Sequence, residues 1–178
     1  LISSLFSNNL SLISTFHYFG LVSLVYPLFP NYKISSFLHF YAKESMQCAT
    51  YLMENGFANQ LLLFLSQQMD EDELSDDFLD YILCVGSICD LEEYEDQFLP
   101  FGPIMCSIIL NSNDWVIQCE AINTLSILLK MKAAANNFLS SDLILNIASP
   151  IKCESNILYL MSISGLFGSL LLHQDILN

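Results

Sequence analysis

The chain has 178 residues, of which 53% are hydrophobic and 13% are charged, and its formal net charge is −14. Its five basic residues are all lysines, so it lacks the basic surface that binding to nucleic-acid phosphates requires. A chain of this length and hydropathy can bury a sizeable core, which excludes a short disulfide-stapled scaffold.

The first apolar stretch covers residues 10–29 and carries no formal charge. A stretch of about 20 apolar residues is long enough to span a bilayer. A membrane-embedded helical protein that uses 10–29 and the uncharged run 157–172 is therefore the alternative interpretation. Against it, Gly20 and Pro27 interrupt the first run, and a helix buried between neighbouring helices is also apolar on every side.

Two helical segments are predicted next. Ile34, Leu38 and Ala42 are spaced four residues apart, as on one face of a helix. The segment Tyr51–Leu65 then reads as a helix that passes through Gly56 into a second helix.

Acidic residues dominate the middle of the chain. Twelve acids lie between Asp70 and Asp96, on both sides of a helix predicted over 78–89, and no lysine occurs between Glu44 and Leu129. Acids that follow a helix oppose its dipole, so helix stability does not explain them all. Two interpretations stay open, a solvated loop that keeps the chain soluble and a docking surface for a basic segment. A calcium-binding loop is disfavoured because the ligand and glycine positions hold Leu74 and Ser75.

Residues 101–130 predict two helices and the turn between them. Gly102-Pro103 starts the first, because proline is tolerated in a first turn. A polar break at 111–114 follows, and Asp114 is expected to cap the second helix. In that helix one stripe carries four apolar residues, Ile117, Ala121, Leu125 and Leu128.

The stripe recurs along the chain. Its copies are Ile34/Leu38/Ala42, Phe78/Ile82/Gly86 and Ile157/Met161/Gly165. Successive copies lie roughly 40 residues apart, and a period of this size in helical sequence is typical of a solenoid. The longest step spans the acidic segment Met69–Asp77, which accounts for the excess as an insertion.

The pattern resembles the armadillo-repeat family, with HEAT-type repeats as the near neighbour. The segments that carry the resemblance are YLMENGFANQLLLFL (51–65) and VIQCEAINTL (116–125). The first is similar to that family's helix 1 and helix 2, and the second is similar to the start of its helix 3. The resemblance implies an all-α, right-handed α-solenoid of about four repeats. The predicted single domain covers 1–178, with units at 10–42, 43–90, 91–131 and 132–172, and is expected to belong to a longer array.

The family often binds extended peptides in a groove lined by its third helices. Its importin-alpha branch places a tryptophan and, four residues later, an asparagine in each third helix. The matching tryptophan positions here hold Phe40, Cys84, Asn123 and Ile163, and the asparagine positions hold Glu44, Ile88, Ile127 and Phe167. A nuclear-localisation-signal receptor of that kind is therefore disfavoured.

Catalytic and metal-binding patterns do not occur in the sequence. The six cysteines form no C-x-x-C pair, and His17, His39 and His173 are isolated along the chain. We predict no catalytic residue, metal or cofactor, and reduced thiols in a cytoplasmic or nuclear protein. The predicted function is a non-enzymatic scaffold that binds a basic or amphipathic segment of a protein partner. The candidate contacts are Asp76, Asp77, Asp80, Asp90, Glu92, Glu93, Phe40, Glu44, Asn123, Ile127, Ile163 and Phe167.

Overall fold

A computed structural model describes residues 10–69, 78–131, 134–135 and 157–172, and every regular element in those ranges is helical. The all-α prediction is therefore confirmed. The helices are α1 (Leu10–Tyr18), α2 (Val22–Val25), α3 (Tyr32–Glu44), α4 (Met46–Glu54), α5 (Phe57–Met69), α6 (Phe78–Ile88), α7 (Glu95–Phe98), α8 (Phe101–Asn111), α9 (Trp115–Leu128) and α10 (Ile157–Leu171), with 3-10 turns at Tyr26–Leu28 and Glu92–Tyr94.

The chain divides into two compact units, Leu1–Leu91 and Glu92–Asn178. In unit 1, α3 is the central helix and packs against α1, α4 and α6, while α5 packs against α4 and α6. Large, fully buried side chains form the core of the unit. Burying each of them stabilises the fold by roughly 1.5–3 kcal/mol. They are Ile13, Phe37, Leu38, Tyr41, Leu52, Phe57, Leu61, Leu65, Phe78 and Ile82.

The helix boundaries of unit 1 follow from local residue chemistry. The Asn31 side chain caps α3 by accepting from the Lys33 N–H at 3.1 Å, and Ser45 Oγ accepts from the Cys48 N–H at 3.2 Å to cap α4. Gly56 joins α4 to α5 with a φ of +79°, a left-handed conformation that suits glycine. The predicted helix, glycine and helix over 51–65 are thus present.

Unit 2 is organised around α9, which packs against both α8 and α10. The Asp114 carboxylate accepts from the Val116 N–H at 2.8 Å and the Ile117 N–H at 3.5 Å, which confirms the predicted cap. The Gln118 amide donates to the Ile109 and Ser112 carbonyl oxygens at 3.2 and 2.7 Å, so it satisfies two acceptors at the end of α8 and fixes the turn between the helices.

The repeated stripe does not have the same environment in every helix. All three stripe residues of α3 are buried. Phe78 and Ile82 are buried in α6, and Ala121 and Leu125 are buried in α9. In α10 the stripe faces outward instead, with Ile157 70% and Met161 65% exposed. The packed side of α10 consists of Tyr159, Ser162, Ile163, Leu166, Ser169 and Leu170.

Candidate interaction surfaces

Exposed carboxylates follow one another at the start of unit 2. Glu92 and Glu93 lie on the 3-10 turn, and Asp96 lies in the first turn of α7, two residues before the fully buried Phe98. All three acids are exposed, and none forms an ion pair with another part of the chain that the structure describes. Phe98 is therefore buried next to this acidic run, whereas the charges of the run stay in solvent.

The other predicted acidic contacts belong to unit 1. Asp90 is exposed two residues after the end of α6, whereas Asp80 is half-buried in the first turn of α6 and has an interaction of its own. A carboxylate in a first turn interacts favourably with the helix dipole, so Asp80 has a local structural role. Asp76 and Asp77 lie outside the described residues.

The predicted groove positions differ in how accessible they are. In unit 1, Phe40 is half-buried and its ring centroid lies 5.1 Å from that of His39. Glu44 is half-buried as well, and it accepts a hydrogen bond from Ser14 Oγ at 2.9 Å. Both side chains therefore already have intramolecular partners.

In unit 2 the predicted groove residues lie on the neighbouring helices α9 and α10. Asn123 is exposed and Ile127 is half-buried on α9. On α10, Phe167 is 39% exposed, but Ile163 is 7% exposed and packs into the core. A partner could contact Asn123 and Phe167, whereas the Ile163 side chain is buried where α10 packs against its own unit.

A second surface was not among the predicted contacts. We call it the outer face of α10, and it is formed by Ile157, Leu158, Met161, Ser164, Gly165, Gly168, Leu171 and Leu172. Its five large apolar side chains are 54–70% exposed, and residues 157–172 contain no charged residue. The uncharged run was visible in the sequence, but it does not say which side of the helix faces solvent.

Two histidines form contacts between helices of unit 1, and both contacts are structural. His39 is 8% exposed, and its Nδ1 lies 3.0 Å from the Leu83 carbonyl oxygen and 2.6 Å from Ser87 Oγ. Because a carbonyl only accepts, Nδ1 carries the proton and links α3 to α6. Burial lowers the pKa of His39, so the ring is held neutral.

The second histidine contact pairs His17 on α1 with Tyr41 on α3. His17 Nδ1 is hydrogen-bonded to the Tyr41 hydroxyl, and the two ring centroids lie 5.9 Å apart. Burial, followed by the nearby Cys48, raises the pKa of Tyr41, so its phenol keeps its proton. The pair joins two helices in the core of unit 1, as a satisfied buried polar contact does.

The thiols of the described residues are mostly enclosed. Cys48, Cys84, Cys89 and Cys119 are buried and free, and Cys106 is half-buried and free. Burial raises the pKa of Cys84 and Cys119 and raises that of Cys106 to about 11, so these thiols are not activated as nucleophiles.

Neither a metal centre nor a membrane span is found among the described residues. No group of three or more histidine, cysteine, aspartate or glutamate side chains there could hold a metal ion. None of the helices described above has both the length and the hydropathy needed to cross a bilayer. Comparison of the chain with protein-family models, with curated proteins and with solved structures gave no match.

Proposed function

We propose that this protein is a non-enzymatic scaffold that binds a basic or amphipathic segment of a partner protein. In this proposal its helices form a right-handed α-solenoid of armadillo-like repeats, and the protein acts in the cytoplasm or nucleus. Helix packing supports the arrangement, because the repeat register relates α3 to α6 and α9 to α10, although the stripe of α10 faces solvent. Each of these pairs packs side by side within its own unit.

The observation that carries the proposal is the exposed acidic run, Glu92, Glu93 and Asp96. Its carboxylates have no cationic partner in the described structure, and the whole chain contains only five lysines. Like charges placed close together on a surface repel one another, so intramolecular stability does not account for the cluster. A basic segment would relieve this repulsion, and complementary charge would also raise its association rate.

The groove positions of unit 2 would supply the remaining contacts. Asn123 on α9 offers an exposed amide for a partner backbone, and Phe167 on α10 offers a partly exposed ring. An extended or helical segment with lysines and a few apolar residues has the matching chemistry. Its lysines would meet the acidic run, and its apolar residues would be desolvated at the helices.

The test is a titration of the full chain with a fluorescent decalysine peptide in low and in moderate salt. We expect the double variant Glu92→Gln/Glu93→Gln to bind at least several-fold more weakly and to lose part of the salt dependence, because two interaction partners of the lysines are gone. The matched control is Glu54→Gln/Glu120→Gln, which removes the same charge elsewhere.

A nonspecific attraction to the net charge of the chain would weaken both double variants equally. That result would refute a docking site at the acidic run, as would unchanged affinity in the Glu92/Glu93 variant. A pull-down with Asp76, Asp77 and Asp80 changed to Asn extends the test to the acids before α6 and on its first turn. Weaker binding of a captured partner and a flatter salt dependence are expected there.

A further inference from the structure

The residues on the outer face of α10 occupy positions that are spaced symmetrically about the middle of the helix. Along the helix, large residues at 157 and 158 are followed by Met161, then by the small pair Ser164 and Gly165, then by Gly168, and finally by large residues at 171 and 172. These positions form five successive layers on one side of the helix, three or four residues apart. Their centre lies between Ser164 and Gly165.

From this order we infer that two copies of the chain associate through their α10 helices, antiparallel and about a two-fold axis between Ser164 and Gly165. In that register Met161 of each copy lies opposite Gly168 of the other, so a long side chain meets a position that has none. Ser164 and Gly165 cross at the centre, and the leucine and isoleucine side chains of one end meet those of the other end. A two-fold interface requires this self-complementarity.

The glycines leave room for the partner helix. A Cβ atom built on Gly165 or Gly168 would meet nothing within 4 Å among the described residues, so none of these residues occupies the space above the two glycines. Helices approach each other most closely where small residues face one another. The Met161 side chain, 65% exposed in a single copy, would fill the hollow above Gly168.

Burying this face leaves no polar group unsatisfied. The Ser164 hydroxyl, the only polar side-chain group among its residues, already donates to the Leu160 carbonyl oxygen at 2.8 Å. Because the face carries no charge, association requires no desolvation of an ion. A partner that was itself basic would find no counter-charge here, which favours a second copy over the partner proposed for the acidic run.

The available area reaches what a specific dimer needs. A leucine, isoleucine or methionine residue in an extended chain exposes roughly 170 Å², so five of them at 54–70% exposure offer roughly 540 Å² per copy. Two copies would bury at most about 1,100 Å², close to the smallest area of specific interfaces. The predicted complex is therefore a reversible dimer whose population depends on concentration.

The first measurement is sedimentation velocity of the full chain over a concentration series. We expect a monomer–dimer equilibrium, and we expect Met161→Glu to raise its dissociation constant about 100-fold or more, because the carboxylate would be buried against an apolar helix. The matched control is Met46→Glu, since Met46 is 73% exposed on α4 and should leave the equilibrium unchanged.

Cysteine crosslinking tests the register independently of any effect of Met161→Glu on folding. In Gly165→Cys the two introduced thiols would lie within one residue of the two-fold axis, so mild oxidation should give a covalent dimer of twice 20.1 kDa. In Leu158→Cys the two thiols would be separated by 13 helical residues, or about 20 Å, which is too far for a disulfide. The unmodified chain is the control for its native cysteines.

Three results would overturn the inference. The first is a chain that stays monomeric at every concentration. In that case another protein or another part of this chain would cover the outer face of α10. The second is a dimer that survives Met161→Glu, because it would use a different surface. The third is equal crosslinking of Gly165→Cys and Leu158→Cys, because it would exclude the antiparallel register.

Discussion

Replacing Asp114 by alanine should destabilise unit 2 by a magnitude that the cap geometry sets. The carboxylate makes one short bond, 2.8 Å to the Val116 N–H, and one at the distance limit, 3.5 Å to the Ile117 N–H. Loss of an N-cap side chain typically costs about 1 kcal/mol. Loss of an exposed negative charge at a helix N-terminus costs a further 0.3–1 kcal/mol or so. We therefore expect Asp114→Ala to lower the free energy of unfolding by about 1.5 kcal/mol.

The conservative variant separates the two contributions. In Asp114→Asn the side-chain oxygen still accepts from the backbone and only the charge is lost, so we expect a decrease of about 0.5 kcal/mol that becomes smaller at high salt. The decrease in Asp114→Ala should persist at high salt, because the hydrogen bond rather than the charge carries most of it.

Urea unfolding provides the assay. Trp115, the first residue of α9 and the only tryptophan in the chain, reports on unit 2 by fluorescence, and far-ultraviolet circular dichroism reports on the helices as a whole. With a denaturant slope of about 2 kcal/mol per molar, the midpoint for Asp114→Ala should fall by roughly 0.7 M. An unchanged midpoint, or a loss in Asp114→Asn as large as in Asp114→Ala, would refute the capping argument.

Two further predictions concern unit 1. Burial lowers the folded-state pKa of His39, so below the unfolded value of about 6.5 the unfolded chain binds more protons, and the free energy of unfolding should fall as pH drops through that value. His39→Asn keeps a donor for the Leu83 oxygen but does not titrate, so it should make the fall in the free energy of unfolding between pH 7.5 and 5.5 less steep. An equally steep fall in this variant and in the parent chain would contradict the role of His39. Gly56 has a φ of +79° and open space around an added Cβ, so Gly56→Ala should cost about 1–2 kcal/mol of backbone strain. Gly56→Asn, which tolerates that conformation better, should cost less, and equal thermal stability of both variants and the parent would disprove the explanation.

Three glycines that recur along the sequence show that residue type alone does not establish a structural repeat. Phe19-Gly20, Asn55-Gly56 and Phe101-Gly102 look equivalent in the chain. Gly20 and Gly56 have positive φ values and form turns before a following helix, whereas Gly102 lies inside the first turn of α8. A left-handed turn and the close packing of a helix both favour glycine, and only the backbone conformation distinguishes them.

The candidate contacts show the same division between what residue type indicates and what packing decides. The sequence identified Glu92 and Glu93 as surface charges, because charged side chains stay in water unless they are paired. It also grouped Ile163 with Phe167 as groove residues. They are four positions apart on an uncharged helix, yet Ile163 is buried and Phe167 is partly exposed. Hydrophobicity does not choose between the two sides of such a helix.

The sequence by itself determined the all-α class, the helices around its strongest stripes, the capping residue Asp114 and the burial of most stripe residues in α3, α6 and α9. These are local consequences of helical periodicity and of hydrogen bonding at helix ends, both encoded within a few residues. The tertiary structure decided the two-unit organisation, the partner helices of α3 and α9, and the side of α10 that meets solvent. Where every side of a helix is apolar, burial on any side is favourable, and the shape of the neighbouring helix selects the one that packs.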